Sequence, residues 1–198
     1  DLDAAERGLA RIVEHGAEDI SEADAWQNLG VVRFYRADLR GSVDAYRRAR
    51  RGYAQLLGAE HPRLGLIDSD IGESLAASGD HEGALAAYEA ALRNFEAALP
   101  SDHLDFALAY KGRGQVQLEL GQVAAARRDL EHALSLHERS PGEPVERADV
   151  EFSLARVLLR SGERGRALEL ARHAQAGLLE LGHAGMAASI TSWLSEHE

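Results

Sequence analysis

The stretch that decides the fold is residues 71–92, IGESLAASGDHEGALAAYEAAL. Its apolar side chains recur at helical spacing on both sides of Gly79-Asp80, which predicts two amphipathic helices joined by a tight turn. Small residues at Gly72 and Ala84 would let the two helices approach closely. We therefore expect a helical hairpin at this point in the chain.

The same pattern recurs along the chain at a fixed period. The aligned turn positions are Ala37, Gly79, Gly121 and Gly162, which are separated by 42, 42 and 41 residues. A fixed period in this range is typical of a repeat array, in which each hairpin buries its open face only against its neighbours. The period therefore predicts an all-α fold made of antiparallel helical hairpins.

The repeated residues resemble the tetratricopeptide repeat (TPR). The positions that carry the likeness are Trp26, Leu29, Gly30, Ile71, Gly72, Gly79, Asp80 and Ala84. The family repeat usually has about 34 residues, and the longer repeats here resemble those of the kinesin-light-chain type, whose inter-repeat His-Pro is matched by His61-Pro62. The resemblance implies a right-handed α-solenoid, the TPR superhelix, with about ten helices.

We predict a single repeat domain over residues 1–198. Its parts are an N-terminal helix at 1–20 (the second helix of a truncated repeat), repeats at 22–60, 62–100, 102–140 and 144–181, and a capping helix at 183–198. An uncovered last repeat would expose apolar surface, so we expect Ile190, Trp193 and Leu194 to cover it. Trp193 is accordingly expected to be a packing residue rather than a ligand contact.

Composition excludes several functions. The formal net charge of −11 argues against general nucleic-acid binding, which needs a basic surface, and disfavours binding to anionic lipid. No apolar run approaches the roughly 20 residues that would cross a bilayer, so we expect no membrane insertion and a cytoplasmic location. The sequence has no cysteine, which excludes disulfides and thiolate chemistry.

No arrangement of residues suggests catalysis. The sequence lacks a glycine-rich phosphate loop, a nucleophile elbow and a His-Glu-x-x-His pair. His132 and His137 are five residues apart, which places them on different faces of one helix. His61 and His103 occupy equivalent loop positions, and we expect a structural role for both. The segment is therefore predicted not to be an enzyme, and to hold no cofactor and no metal.

In the family that the chain resembles, the first helix of each hairpin lines a concave groove that binds a peptide or a partner helix. The resemblance implies that the groove residues are Gln27, Asn28, Val31, Tyr35, Ser69, Asp70, Glu73, Lys111, Gln115, Phe152, Ser153, Arg156 and Arg160. Asn28 keeps the family's backbone-clamping asparagine, whereas the equivalent positions later in the chain depart from it. The charges predict a ligand that is basic toward Asp70 and acidic toward Arg156.

The first repeat is rich in arginine, and two interpretations stay open. The arginines are Arg33, Arg36, Arg40, Arg47, Arg48, Arg50 and Arg51. They could form a patch for an anionic partner such as a phosphopeptide or an acidic peptide. The simpler interpretation is a solvated outer face whose charges meet Asp38, Asp44 and neighbouring acids.

The end of the chain suggests a parent protein. Residues 157–171, followed by the closing SWLSEH at 192–197, resemble the carboxyl-terminal repeat tails of bacterial serine/threonine protein kinases. We therefore expect a non-catalytic protein–protein interaction scaffold that forms the regulatory tail of a larger bacterial signalling protein such as a kinase. The alternatives are a ligand-sensing or autoinhibitory region of a transcriptional regulator or signalling ATPase, and a self-assembling scaffold that forms a homo-oligomer.

Overall fold

Helices make up nearly all of the chain that the structure describes. The computed structural model describes residue 9, residues 20–140 and residues 143–197. Within those residues it contains nine α-helices and no strand. The helices are α1 (Ile20–Tyr35), α2 (Leu39–Leu57), α3 (Pro62–Ala77), α4 (His81–Ala98), α5 (Asp105–Glu119), α6 (Val123–Arg139), α7 (Pro144–Arg160), α8 (Arg164–Glu180) and α9 (Ala184–His197).

The tight turns share one backbone geometry. The residues with positive φ in them are Ala37 (60°), Gly79 (85°), Gly121 (74°), Gly162 (84°) and Gly182 (80°). In each turn the next N–H bonds back to the carbonyl five residues earlier, as Asp80 does to Leu75 at 3.0 Å. This bond defines a Schellman C-cap, which ends one helix and reverses the chain into the next. The first four of these turns are the ones that the sequence period predicted.

Side chains satisfy the N–H groups at several helix starts. The carboxylate of Asp38 accepts the N–H of Gly41 at 3.0 Å, and that of Asp80 accepts the N–H of Gly83 at 2.9 Å. Prolines occupy the first turns of α3 and α7, where the missing N–H costs no helical hydrogen bond. These caps place the helix starts at repeating positions, which fixes the register of each hairpin.

Glycines allow the two helices of a hairpin to touch. A Cβ atom on Gly30 would lie 2.6 Å from the Tyr46 ring, and one on Gly72 would lie 2.9 Å from the Tyr88 ring. Both distances are too short for a real side chain, so each ring packs directly on the backbone of the facing helix. Ala84, the other small residue of the deciding stretch, is fully buried.

The chain divides into two compact units, Asp1–Ser101 and Asp102–Glu198. Unit 1 holds α1 to α4 and unit 2 holds α5 to α9, and within each unit every helix packs against the next one. Tyr46, Tyr53 and Ile67 belong to the core of unit 1. In unit 2, Ile190 and Leu194 of α9 are buried against α7 and α8.

One buried carboxylate ties three helices of unit 1 together. Asp68 of α3 is 5% exposed and forms a two-pronged ion pair with Arg50 of α2, at 2.6 and 3.1 Å. It also accepts the side-chain amide of Asn94 of α4 at 2.7 Å. Burial raises the pKa of this carboxyl, and the bonds to Arg50 and Asn94 oppose the increase. The contact joins the first repeat to the second.

The structure confirms the all-α array of hairpins for the residues that it describes. The predicted N-terminal helix at 1–20 lies almost wholly outside the described residues. The single domain and its repeat boundaries stay predictions.

Candidate partner-binding surfaces

The first helix of unit 1 presents part of the predicted groove to solvent. Asn28, Val31 and Tyr35 of α1 are exposed, and Tyr35 is 73% accessible. Residues spaced by three and four positions lie on one helix face. An amide, an aliphatic side chain and an aromatic ring therefore form a continuous exposed strip along α1.

Gln27 is instead held by neighbouring residues. Its Oε1 accepts the Tyr53 hydroxyl at 2.9 Å, and the same hydroxyl lies 2.5 Å from Asp24. Arg63 pairs with Asp24 at 2.8 Å and lies over the Tyr53 ring at 4.3 Å. Burial raises the pKa of Tyr53, and the bond to Asp24 adds to the increase. This cluster joins α1, α2 and α3 and leaves Gln27 little freedom to bind a partner.

Asp70 and Glu73 form the acidic part of the predicted groove. Asp70 is half-buried, and burial together with the nearby Glu73 charge raises its pKa to about 7. In the described part of the chain, neither side chain has an ion pair or a hydrogen bond. The cost of burying Asp70 is therefore not offset by a cation of unit 1.

Three tyrosine side chains lie near these two acids, and two of them, Tyr46 and Tyr88, are buried. Burial raises the pKa values of Tyr46 and Tyr88, and the charges of Asp70 and Glu73 raise them further. Tyr35 also contributes to the raised pKa of Tyr46. We call the residues Tyr35, Tyr46, Asp70, Glu73 and Tyr88 the Asp70 surface. Its accessible part combines two acids that have no cation in the described part of the chain with the Tyr35 ring, and this combination attracts a cationic side chain.

Ser69, the remaining predicted site residue of unit 1, points into the protein. It is 2% exposed, and its hydroxyl donates to the carbonyl of Gly65 at 3.0 Å. That bond is made to the preceding turn of its own helix, so Ser69 contributes to packing rather than to the exposed surface.

In unit 2 three polar residues of α5 pair with α7, and two of them, Lys111 and Gln115, are predicted groove residues. The pairs are Lys111 with Asp149 at 2.6 Å, Gln115 with Ser153 at 2.8 Å, and Glu119 with Arg156 at 2.9 Å. We call these three pairs the α5–α7 ladder. Its polar groups satisfy one another, in contrast to those of the Asp70 surface.

Two predicted groove residues of α7, Phe152 and Arg160, are not part of the ladder. The ring of Phe152 is half-buried and meets the edge of Trp193 at a centroid distance of 5.6 Å. Arg160 is exposed, and in the part of the chain that the structure describes it forms no ion pair. Trp193 is half-buried and packs against two core clusters.

The groove residues that the family resemblance implies do not include Tyr46, Tyr88 and Asp149. The two tyrosines lie on second helices, which the family pattern does not assign to the groove. Asp149 could have been found from spacing, because the ladder joins residues 37 or 38 positions apart. The same offset of 38 relates Tyr35 to Glu73, so the two units use equivalent positions for different chemistry.

The two loop histidines cap helices. Nδ1 of His61 accepts the N–H of Arg63, and Nδ1 of His103 accepts the N–H of Asp105, both at 3.2 Å. Each imidazole thus occupies an equivalent position at the start of α3 or α5. No group of three potential metal ligands occurs among the described residues.

Several arginines of the first repeat are engaged by neighbouring side chains. Arg50 pairs with Asp68, Arg33 lies 4.0 Å from Asp38, and Arg48 covers the Trp26 ring at 4.5 Å. None of the described helices combines the length and the hydrophobicity needed to cross a bilayer.

Part of the chain matches a known protein family. Residues 21–97 match the tetratricopeptide repeat family. The protein FlbA of Caulobacter vibrioides is 34% identical over 113 residues, which is 57% of this chain and 17% of FlbA. The chain thus spans a small part of that relative.

Solved structures share the fold. The TPR-like repeats of a Podosopora anserina kinesin light chain superpose with a TM-score of 0.66 at 19% identity, over 91% of this chain and 86% of that one. A Rap protein complexed with competence and sporulation factor gives a TM-score of 0.76 at 19% identity, over 90% and 48% of the two chains. The chain therefore shares its fold with TPR-like repeats, and its structural neighbours include repeats of the kinesin-light-chain type.

Proposed function

We propose that this chain is a non-catalytic interaction module that binds a basic segment of a partner protein at the Asp70 surface. TPR folds are typical of protein–protein interaction scaffolds. The single observation that carries the proposal is that the half-buried Asp70 and the exposed Glu73 lie together without a cation of their own among the described residues, and that Tyr35 is exposed on the same unit.

Energetics support a functional interpretation of this pair. A buried carboxylate without a partner costs stability, and such a cost is commonly found where a site must meet a ligand. The positions equivalent to Asp70 in unit 2 are Gly112 and Ser153, which carry no charge, and Arg156, which is equivalent to Glu73, pairs with Glu119 at 2.9 Å. A Lys or Arg side chain of the partner would supply the missing charge, and Tyr35 would cover its aliphatic part.

A peptide-binding measurement tests the proposal. Fluorescent dodecapeptides with two lysines between apolar residues would be compared with matched glutamine peptides by anisotropy. We expect the lysine peptides to bind preferentially, and Glu73→Lys to weaken them by about tenfold or more. Glu96→Lys changes the same charge at an exposed position of α4 and should have little effect. Equal losses in both variants would reduce the effect to net charge and contradict the proposal.

For the parent protein, we propose the regulatory tail of a larger cytoplasmic bacterial signalling protein such as a serine/threonine kinase. The resemblance of residues 157–171 and 192–197 to kinase tails supports this context. The gene sequence upstream of Asp1 tests it: a kinase lysine and a His-Arg-Asp loop would agree, and a DNA-binding module or an ATPase would indicate one of the alternatives.

A ligand-sensing role is the second candidate. The structural likeness to a Rap protein complexed with competence and sporulation factor favours it. In that case the Asp70 surface would receive a released ligand instead of a segment of a folded partner. Binding of free lysine peptides as tight as that of the whole partner would favour sensing.

A further inference from the structure

A cavity lies at one end of the α5–α7 ladder. Its volume is about 220 Å³, which is smaller than the pockets that hold drug-sized ligands and suits one or two side chains. The lining residues are Leu118, Glu119, Arg156, Leu159, Arg160, Trp193 and His197. They come from α5, α7 and α9, so the whole cavity lies within unit 2.

The charged side chains that line the cavity carry a net positive charge. Glu119 is engaged by Arg156 at 2.9 Å, which leaves that pair nearly neutral. Arg160 is exposed and, in the described residues, has no carboxylate of its own. The cavity therefore presents one free guanidinium in a chain whose formal net charge is −11. A guanidinium binds carboxylates through paired N–H donors.

The remaining lining residues are Leu118, Leu159, Trp193 and His197, and the two rings among them are fixed in place. Trp193 stacks on the His197 ring at a centroid distance of 4.6 Å and meets Phe152 edge-on at 5.6 Å. Nδ1 of His197 donates to the Trp193 carbonyl at 2.7 Å, and Arg164 donates to the His197 carbonyl at 2.9 Å. These contacts hold the indole against Leu118 and Leu159 without closing the cavity.

We infer that this cavity is a specificity pocket that takes an acidic residue next to an apolar residue of a partner polypeptide. Arg160 pairs with the carboxylate, and Trp193, Leu118 and Leu159 contact the apolar side chain. The inference rests on the proposed interaction function and adds a second contact to it. The occupant is identified by charge complementarity, because the unpaired charge in the lining is a cation.

The two tryptophans make a direct test possible. Trp193 lines the cavity and Trp26 lies in unit 1, so the two indole N–H resonances of the full chain provide a reporter and an internal control. The probe is N-acetyl-Leu-Glu-amide, titrated at constant ionic strength because salt screens exposed charges. We expect the Trp193 resonance to shift, the Trp26 resonance to stay fixed, and N-acetyl-Leu-Gln-amide to bind at least about fivefold more weakly.

Two variants locate the charge. Arg160→Gln should remove the preference for the glutamate probe, whereas Arg128→Gln, which removes an exposed charge from α6, should keep it. Equal binding of the two probes to the unaltered chain would overturn the inference. The same holds if the preference persists in Arg160→Gln. Shifts of Trp193 with protein concentration alone would show a second copy in the cavity and would also overturn it.

The outcome is separate from that of the Asp70 surface. If the glutamate dipeptide binds and the lysine peptides show no preference, the pocket is supported and the binding of a basic segment at the Asp70 surface is contradicted. If Glu73→Lys loses lysine-peptide binding and the dipeptide does not shift the Trp193 resonance, the proposed function is supported and the pocket is contradicted.

Discussion

Ala37 adopts the left-handed backbone conformation that glycine adopts at the equivalent turns. Its φ is 60°, and its turn makes the same backward hydrogen bond, from Asp38 to Arg33 at 2.9 Å. A Cβ atom in this region costs roughly 1–2 kcal/mol. The first hairpin therefore has the same turn as the others but is less stable locally.

Exchanging alanine and glycine at two turns tests this cost. We expect Ala37→Gly to stabilise the protein by about 0.5–1 kcal/mol, because the relief of strain exceeds the added entropy of the unfolded chain. The reverse change Gly79→Ala should destabilise it by about 1 kcal/mol, since open space around Gly79 leaves backbone strain as the only effect. Urea unfolding midpoints measure both. Shifts of the same sign would contradict the explanation.

Asp70 determines part of the pH dependence of stability. Its pKa is raised from 3.8 to about 7 in the folded state, so between these values the folded protein holds a proton that the unfolded chain has lost. Stability from this group is therefore lost as the pH rises from about 4 to 7. Removing the charge of Asp70 should therefore restore the stability that is lost as the pH rises.

We expect Asp70→Asn to raise the free energy of unfolding at pH 8, by an amount up to a few kcal/mol, and to change it little at pH 4. The measurement is urea unfolding at both pH values, because the sign depends on the comparison. Glu96→Gln is the control, since Glu96 is exposed on α4. An Asp70→Asn variant that is less stable at pH 8 would show that the carboxylate has a favourable partner.

At the scale of the helix pair, the crossing of α3 and α4 depends on the absence of one methyl group. The Tyr88 ring packs on the backbone of Gly72, where a Cβ atom would approach to 2.9 Å. Gly177 in α8 offers a matched control because nothing lies within 4 Å of its Cβ position. The two glycines are therefore expected to respond in opposite directions to the same substitution.

We expect Gly72→Ala to destabilise the protein by about 1–3 kcal/mol through overpacking. Gly177→Ala should stabilise it by about 0.5–1 kcal/mol, because alanine favours the helix. Thermal unfolding followed by circular dichroism measures both. If Gly72→Ala leaves the stability unchanged, the Tyr88 ring moves away at little cost and the crossing of α3 and α4 tolerates a larger separation.

At the scale of the whole molecule, three clusters of buried apolar side chains each belong to a single unit. One cluster of unit 1 includes Tyr53 and Ile67, and two clusters of unit 2 include Leu130 and Leu178. In repeat proteins, stability is a sum of terms within repeats and between neighbours. Each unit therefore contains packed neighbours that stabilise one another.

We expect residues 102–198 expressed alone to be helical and to unfold cooperatively, because both clusters are retained. Circular dichroism and thermal unfolding test this. Leu130→Ala in the same fragment should lower its stability by about 2–5 kcal/mol, since a fully buried leucine is removed. A fragment without helical signal would show that unit 2 depends on the preceding residues.

The sequence by itself determined the hairpins. The spacing of Ala37, Gly79, Gly121 and Gly162 reflects local chemistry, since a positive φ and a helix stop depend on neighbouring residues along the chain. It also predicted that Trp193 and Leu194 pack in the last helix. These features could be inferred because their causes lie within one or two helical turns, or repeat at a fixed period.

Only the tertiary structure decided which polar groups are neutralised. Asp70 and Lys111 both looked like groove residues, yet Lys111 has a carboxylate 38 positions away and Asp70 has none. Burial and charge pairing depend on side chains brought together from different helices. A single residue type such as Asp cannot show this, because the local sequence does not record the distance to the nearest opposite charge.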